Sequence, residues 1–172
     1  MPNGGRLWLA ESALATLHEI ADRHYPFETG GMLLGYEAKN GEAVVNTIIG
    51  PGPKAKHSRF RFVPDARYQQ TELENHFYKT EGRETYLGDW HTHPLGSCRL
   101  SVVDKWTLAR IARTPSSGTQ HPIMAILCGS NPDWEIEAIR FLSVKRRLFL
   151  REYRLAQLNP AIFTNTQPTY NK

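Results

Sequence analysis

The chain has 172 residues, of which 40% are hydrophobic, and it carries a formal net charge of +4 at pH 7. This length predicts one globular domain with a sizeable core and little else. No apolar run approaches the roughly twenty residues that cross a bilayer. The mild positive charge comes with no zinc-finger or RNA-binding motif, so neither a membrane nor a nucleic-acid partner is expected.

The secondary structure is predicted from apolar periodicity and turn residues. In chain order the elements are a strand at 6–9, a helix at 12–25, strands at 30–37, 43–49 and 59–63, a helix at 65–80, a strand at 84–92, a helix at 101–113, and strands at 122–128, 134–142 and 146–154. Strands with interspersed helices predict an α/β layered domain. We expect this domain to span residues 1–158. Residues 159–172 are predicted to form a loose tail.

The segment HTHPLGSCRLSVVD, which begins at His91, carries the main functional signal. It overlaps a predicted strand, where side chains alternate between faces, so His91 and His93 point the same way. Pro94 breaks the strand, and a helix begins at Ser101, which faces the same way as Asp104. Two imidazoles and a carboxylate at this spacing predict a catalytic zinc site formed by His91, His93 and Asp104.

Each part of this motif also has a plainer interpretation. Ser-x-x-Asp at a helix start resembles a capping box, and a single histidine on a strand is usually structural. Capping does not require a His-x-His pair upstream, so the combination favours a metal. Three protein ligands leave a fourth tetrahedral position for water, as in catalytic rather than structural zinc. Iron and manganese also accept two histidines and a carboxylate, but a tetrahedral hydrolytic site favours zinc.

A hydrolytic zinc site needs a group that takes a proton from water. Glu28, in FETGGMLLG, is the candidate because it lies between the end of a predicted helix and an apolar run. Gly30 and Gly31 allow the backbone there to pass close to another group. The alternative is that Glu28 is an ordinary surface carboxylate, and the spacing alone does not decide between the two.

Glu-x-Gly-Gly-x-Leu-x-Gly, followed by His-x-His-Pro and Ser-x-x-Asp, resembles the JAB/JAMM metalloprotease family, the catalytically competent branch of the MPN domains. The resemblance implies a three-layer fold with a curved mixed sheet flanked by helices. It also implies one zinc ion per chain, held by His91, His93 and Asp104. Glu28 is then the general base and later acid, and Ser101 is a donor that supports the tetrahedral intermediate.

Residues 48–70, IIGPGPKAKHSRFRFVPDARYQQ, and the segment YLGDWHTHP resemble the short bacterial JAB proteins of CBASS anti-phage operons. Those proteins are deconjugating proteases. The resemblance implies hydrolysis of the amide bond between the C-terminus of a conjugated cGAS-like nucleotidyltransferase and its target protein. The alternatives are processing of another ubiquitin-like or sulfur-carrier protein, a DNA-associated JAB-like protein, and a noncatalytic scaffold. The complete Glu, His, His, Ser and Asp set argues against the scaffold.

Two further residues lie within the motif segment. Leu100 stands where many family members have a proline before the serine, a change that removes no reacting group. Cys98 is interpreted as a wall residue, with redox sensitivity as the alternative. Cys98 and Cys128 are the two cysteines of the chain, and the N-terminus lacks the long apolar stretch of a signal peptide. The expected compartment is therefore a reducing cytoplasm.

Overall fold

A computed structural model describes residues 3–147 and 150–164. Its elements in chain order are β1 (Asn3–Ala10), α1 (Glu11–His24), β2 (Gly30–Glu37), β3 (Ala43–Ile49), β4 (Lys56–His57), β5 (Phe62–Val63), α2 (Ala66–Lys79), β6 (Thr85–Pro94), α3 (Val102–Ile111), a 3-10 turn (Pro115–Ser117), β7 (Ile123–Gly129), β8 (Glu135–Arg147) and β9 (Leu150–Phe163). The predicted strands at 30–37 and 43–49 agree with β2 and β3.

Among the described residues, seven strands form one mixed sheet in the order β1-β3-β2-β6-β7-β8-β9. β2 and β6 run antiparallel, whereas β6 and β7 run parallel. β1 pairs in parallel with both β3 and β9, which closes the sheet on itself. The predicted α/β domain with a curved mixed sheet is confirmed, and the sheet curves so far that it forms a closed barrel.

Apolar clusters lie on both faces of the sheet. Two neighbouring residues of β7 belong to different clusters. Ala125 packs in the cluster that contains Leu17 of α1, and Ile126 packs in the cluster that contains Leu108 of α3. Side chains that alternate along a strand point to opposite faces. The sheet is therefore covered by α1 on one face and α3 on the other. β6 lies beside β7, so the His-x-His strand is held in the covered part of the sheet.

The sequence prediction is wrong at the C-terminal end of the domain. β9 continues to Phe163, so residues 159–163, predicted to begin a loose tail, are part of a strand. They pair with β1 in a parallel register that ends at Ala10↔Phe163. The local composition, with Pro160, does not favour a strand, but pairing with a distant strand supplies hydrogen bonds that no local pattern reveals. Residues 165–172, the rest of the predicted tail, lie outside the described residues.

The predicted strand at 59–63 is shorter in the structure. It is reduced to Phe62–Val63, which pairs with Lys56–His57 in a two-stranded hairpin. The tip of this β4–β5 hairpin is closed by a hydrogen bond from the Ser58 N–H to the Arg61 carbonyl oxygen at 2.9 Å. The hairpin stands apart from the main sheet and reaches the segment that contains Glu28.

The helices of the described residues are short. α1 and α2 have 14 residues each, and α3 has 10. Within residues 3–147 and 150–164, no helix is both long and apolar enough to cross a membrane. The cytoplasmic location remains a prediction from the sequence.

Candidate metal centre and active site

β6 carries His91 and His93 on the same face, as the alternation of strand side chains predicts. Their Nε2 atoms lie 3.0 Å apart. The Nδ1–H of His93 donates to the Ser97 carbonyl oxygen at 2.9 Å, which fixes the tautomer and leaves the Nε2 lone pair free. Burial lowers the pKa of His91, so this imidazole is neutral at pH 7. Both rings can therefore offer a lone pair to one cation.

α3 begins at the Ser-x-x-Asp motif, with Ser101 as its N-cap. The Ser101 N–H donates to Asp104 Oδ2 at 2.7 Å, and the Asp104 N–H donates to Ser101 Oγ at 3.1 Å. The motif is therefore a capping box, the plainer interpretation of the sequence. Capping occupies one carboxylate oxygen, whereas Asp104 Oδ1 lies 3.5 Å from His91 Nε2. The same side chain can thus cap the helix and face the histidines.

The three predicted ligand residues come together in the structure. One ligand atom from each of His91, His93 and Asp104 lies within 4.8 Å of the others. Ligands bound about 2.0–2.2 Å from a tetrahedral ion are roughly 3.4 Å apart, close to the 3.0 and 3.5 Å separations observed. These residues fit a divalent metal ion, and three ligands leave one tetrahedral position for water.

Glu28 reaches the same site from the start of β2. The antiparallel pairing of β2 with β6, extended by hydrogen bonds between Thr29 and Thr92, sets Glu28 opposite His93. Burial raises the pKa of Glu28, His93 lowers it, and Asp104 raises it. Glu28 is thus partly buried, within electrostatic range of two of the three predicted ligands. This environment differs from that of an ordinary surface carboxylate.

The β4–β5 hairpin holds the backbone of Glu28. The Glu28 N–H donates to the Ser58 carbonyl oxygen at 2.8 Å, and the Glu28 carbonyl oxygen accepts from His57 Nδ1–H at 3.0 Å. The His57 ring stacks on His24 with a centroid separation of 4.0 Å and also contacts Phe62. Sequence reasoning missed His57 because its contacts come from distant elements and no local motif marks it.

Glycine at two positions allows β2 to pass close to its neighbours. A Cβ at Gly30 would lie 2.4 Å from the Trp90 carbonyl oxygen and 3.0 Å from both His91 Cβ and Phe62 Cε1. A Cβ at Gly31 would lie 1.9 Å from a β3 carbonyl oxygen. The predicted close approach is confirmed, and it brings the Glu28 segment next to the histidine strand.

Cys98 and Cys128 form a disulfide, which sequence reasoning did not predict. Cys98 lies in the loop that joins β6 to α3, and Cys128 on β7 is the register partner of His93. The bond ties this loop to the strand beside the ligands. The two cysteines are 30 residues apart in the sequence, so no local pattern predicts the bond. The parallel pairing of β6 with β7 brings the two sulfurs together.

Reduction of this disulfide is expected to destabilise the protein by about 3.5 kcal/mol, because the cross-link removes loop-closure entropy from the unfolded chain. Urea unfolding with and without a phosphine reductant measures the difference. The Cys98→Ser/Cys128→Ser double variant should match the reduced wild type and should not respond to the reductant. Equal stability of the oxidised and reduced wild type would contradict a stabilising role.

Comparison with known proteins gives the family of the chain. Residues 10–142 match a family model described as prokaryotic homologs of the JAB domain. The chain belongs to this prokaryotic JAB family. It is 37% identical over 130 residues to the "Probable metalloprotease y4qB" of Sinorhizobium fredii (strain NBRC 101917 / NGR234), a match that covers 74% of this chain and 79% of that protein. The prediction of a metalloprotease is confirmed at the level of the family.

This prokaryotic JAB protein is also similar to two proteins named CD-NTase/cGAS isopeptidase. The identity is 29% over 102 residues with that of Escherichia coli (strain TW11681), covering 58% of this chain and 65% of the relative. The identity with the isopeptidase of Vibrio cholerae serotype O1 (strain ATCC 39315 / El Tor Inaba N16961) is 34% over 87 residues, and this match covers 51% of this chain and 55% of the relative. The chain thus spans slightly less than two thirds of the length of the Escherichia coli isopeptidase and about half of the length of the Vibrio cholerae isopeptidase.

The fold of this JAB protein has a counterpart among solved structures. The solution structure of protein DSY2949 from Desulfitobacterium hafniense matches with a TM-score of 0.67 and 18% sequence identity. The match covers 96% of this chain and 99% of that one. At this identity the likeness supports the fold alone.

Proposed function

We propose that this protein is a zinc isopeptidase that hydrolyses the amide bond between the C-terminus of a conjugated protein and its target. The observation that carries the proposal is the grouping of His91, His93 and Asp104, with Glu28 set opposite His93 by the pairing of β2 with β6. Two histidines, a carboxylate and an open position are typical of catalytic zinc, so we expect one zinc ion per chain. When bound, zinc supplies Lewis acidity that lowers the pKa of water and polarises a carbonyl group.

Glu28 is proposed as the general base and then the general acid. Its raised pKa suits both roles, because a group whose pKa is nearer the working pH can take up a proton and release it again. A carboxylate oxygen of Glu28 takes a proton from the attacking water as the new C–O bond forms. The same carboxyl then gives this proton to the leaving nitrogen as the C–N bond breaks.

Ser101 is proposed to donate a hydrogen bond to the oxygen of the scissile carbonyl. Its Oγ accepts the Asp104 N–H through a lone pair, so its O–H stays free to donate. Ser101 is exposed at the N-terminus of α3, where the helix dipole favours negative charge. Both features support stabilisation of the charge that develops on the carbonyl oxygen.

A cGAS-like nucleotidyltransferase is proposed as the conjugated protein, in bacterial anti-phage defence. The similarity to two proteins named CD-NTase/cGAS isopeptidase supports this substrate class. In this proposal the enzyme releases the nucleotidyltransferase from the protein to which its C-terminus is attached.

The C-terminal tail of the substrate is proposed to bind in extended form along the β4–β5 hairpin. The hairpin contacts the Glu28 backbone, and the Phe60 side chain at its tip is 90% exposed. Among the described strands, β5 pairs only with β4, so its other edge can accept a peptide by strand addition. Binding along the tail would orient the scissile carbonyl relative to Glu28.

A fusion of the cognate nucleotidyltransferase C-terminus to a reporter protein is expected to be cut directly after the final residue of the tail. Substitutions in the last few tail residues should abolish cutting, because they remove the contacts that orient the carbonyl. Gel electrophoresis and mass spectrometry of the products measure the extent and position of cleavage.

The Glu28→Gln enzyme is the matched control for contaminating proteases in this assay. Equal cleavage of intact and tail-substituted fusions would contradict tail recognition. Cutting of DNA without cleavage of any fusion would favour the DNA-associated alternative instead.

A further inference from the structure

Thr92 lies between the two histidines of β6, but its side chain is on the opposite face of the strand and is fully buried. It can therefore touch neither the metal ligands nor the substrate directly. We propose that Thr92 is a positioning residue for Glu28, and that its hydroxyl fixes the backbone of the segment that carries this base. The inference rests on the proposed role of Glu28 as the proton-transfer group.

The contact that carries the inference is a pair of reciprocal hydrogen bonds between Thr29 and Thr92. The Thr92 N–H donates to the Thr29 carbonyl oxygen at 2.8 Å, and the Thr29 N–H donates to Thr92 Oγ1 at 3.0 Å. In a regular antiparallel pair both acceptors are backbone carbonyls. Here a side-chain hydroxyl replaces one of them, and this occurs at Thr29, between Glu28 and the first residue of β2.

The Thr29 carbonyl oxygen keeps its backbone bond to the Thr92 N–H, whereas the Thr29 N–H depends on the Thr92 side chain. The Glu28–Thr29 peptide is therefore held to β6 partly by this hydroxyl. On its other side the same segment is held by the hairpin, through the hydrogen bond from Glu28 N–H to the Ser58 carbonyl oxygen. The base is thus clamped between β6 and the β4–β5 hairpin.

Burial makes the Thr92 hydroxyl hard to replace. Thr29 and Thr92 are both 0% exposed, so water has no direct access to the Thr29 N–H. A buried N–H without an acceptor is unfavourable, and the Glu28 segment would shift to satisfy it. A displacement of about 1 Å in a catalytic group can lower the rate on the order of 10²-fold.

The chain offers a matched control at the neighbouring threonine. Thr29 Oγ1 is also buried, but it has no hydrogen-bond partner among the residues that the structure describes. Thr29→Val removes an equally buried hydroxyl but leaves both reciprocal hydrogen bonds intact, because these use the backbone of Thr29. Thr92→Val removes the acceptor, Thr92→Ser keeps it, and Thr92→Ala serves as a second variant without it.

The first measurement is amide hydrogen exchange by NMR on the zinc-loaded full chain, which needs no substrate. Thr92→Val and Thr92→Ala should speed exchange of the amide at position 29 about 10-fold or more, the loss of one hydrogen bond. Thr92→Ser and Thr29→Val should keep it slow. Equal rates of amide exchange at position 29 in Thr92→Val and Thr92→Ser would overturn the proposal. This outcome does not depend on knowing the substrate.

The second measurement is cleavage of the tail fusion. Thr92→Val should lower kcat about 10-fold to 100-fold with KM and zinc content unchanged, and Thr92→Ser should restore kcat. In the Glu28→Gln background the same substitution should cause no further loss, because its effect passes through Glu28. A loss of the same size in that background, or a change in KM or zinc content instead of kcat, would overturn the positioning role.

Discussion

Replacing His91 or His93 by alanine is expected to remove both the bound zinc and the peptidase activity. Each imidazole supplies one of three proposed ligands, and their Nε2 atoms lie 3.0 Å apart. Loss of one leaves only two protein ligands, fewer than the three of known catalytic zinc sites. Metal analysis of the purified variants should fall from about one zinc per chain to near zero, and cleavage of the tail fusion should fall below detection.

His121→Ala is the matched control for this experiment, because His121 is an exposed histidine on the segment before β7. It should keep zinc and activity. The Asp104→Asn variant adds a sharper comparison, since asparagine can still accept the Ser101 N–H and keep the cap but lacks the anionic ligand oxygen. It should lose zinc without losing helix stability. Full zinc retention in the His91→Ala/His93→Ala double variant would contradict the ligand assignment.

The proposed ligand set was predictable from the sequence because its parts are local. Strand alternation alone sets His91 and His93 on one face, and a separation of three residues at a helix start brings Ser101 to Asp104. The sequence presented capping and ligation by Asp104 as alternatives. They turn out to be compatible, because a carboxylate has two oxygens and the cap uses one of them.

The parts that escaped prediction depend on contacts between distant segments. Closure of the sheet pairs the end of β9 with β1, and no feature of residues 159–163 indicates that partner. The Cys98–Cys128 disulfide depends on the register of β6 with β7. His57 bonds the Glu28 carbonyl only because the β4–β5 hairpin folds back onto this segment. Local periodicity contains none of this information.

Glu28 links the pH dependence of the reaction to the structure. Burial raises its pKa above the ordinary range, and His93 and Asp104 act on it in opposite directions. A general base must be ionised, so turnover should fall as the pH decreases through the pKa of Glu28. In the metal-free protein this carboxyl is expected to titrate at a higher pH than an exposed glutamate, which an NMR titration measures, and bound zinc would oppose this shift.

Substituting Glu28→Gln is expected to lower turnover about 10²-fold or more, the typical contribution of a general base, while zinc and fold are retained. Glutamine has nearly the same shape but cannot accept the proton of the attacking water, and Glu28 is not among the proposed ligands. The acid side of the pH profile should disappear with it, and the variant should form a stable complex with uncleaved fusion. Glu74→Gln on the exposed face of α2 is the control and should behave as wild type. Undiminished cleavage by Glu28→Gln would mean that another group moves the proton, whereas loss of zinc would mean that Glu28 supports the ligand set rather than the chemistry.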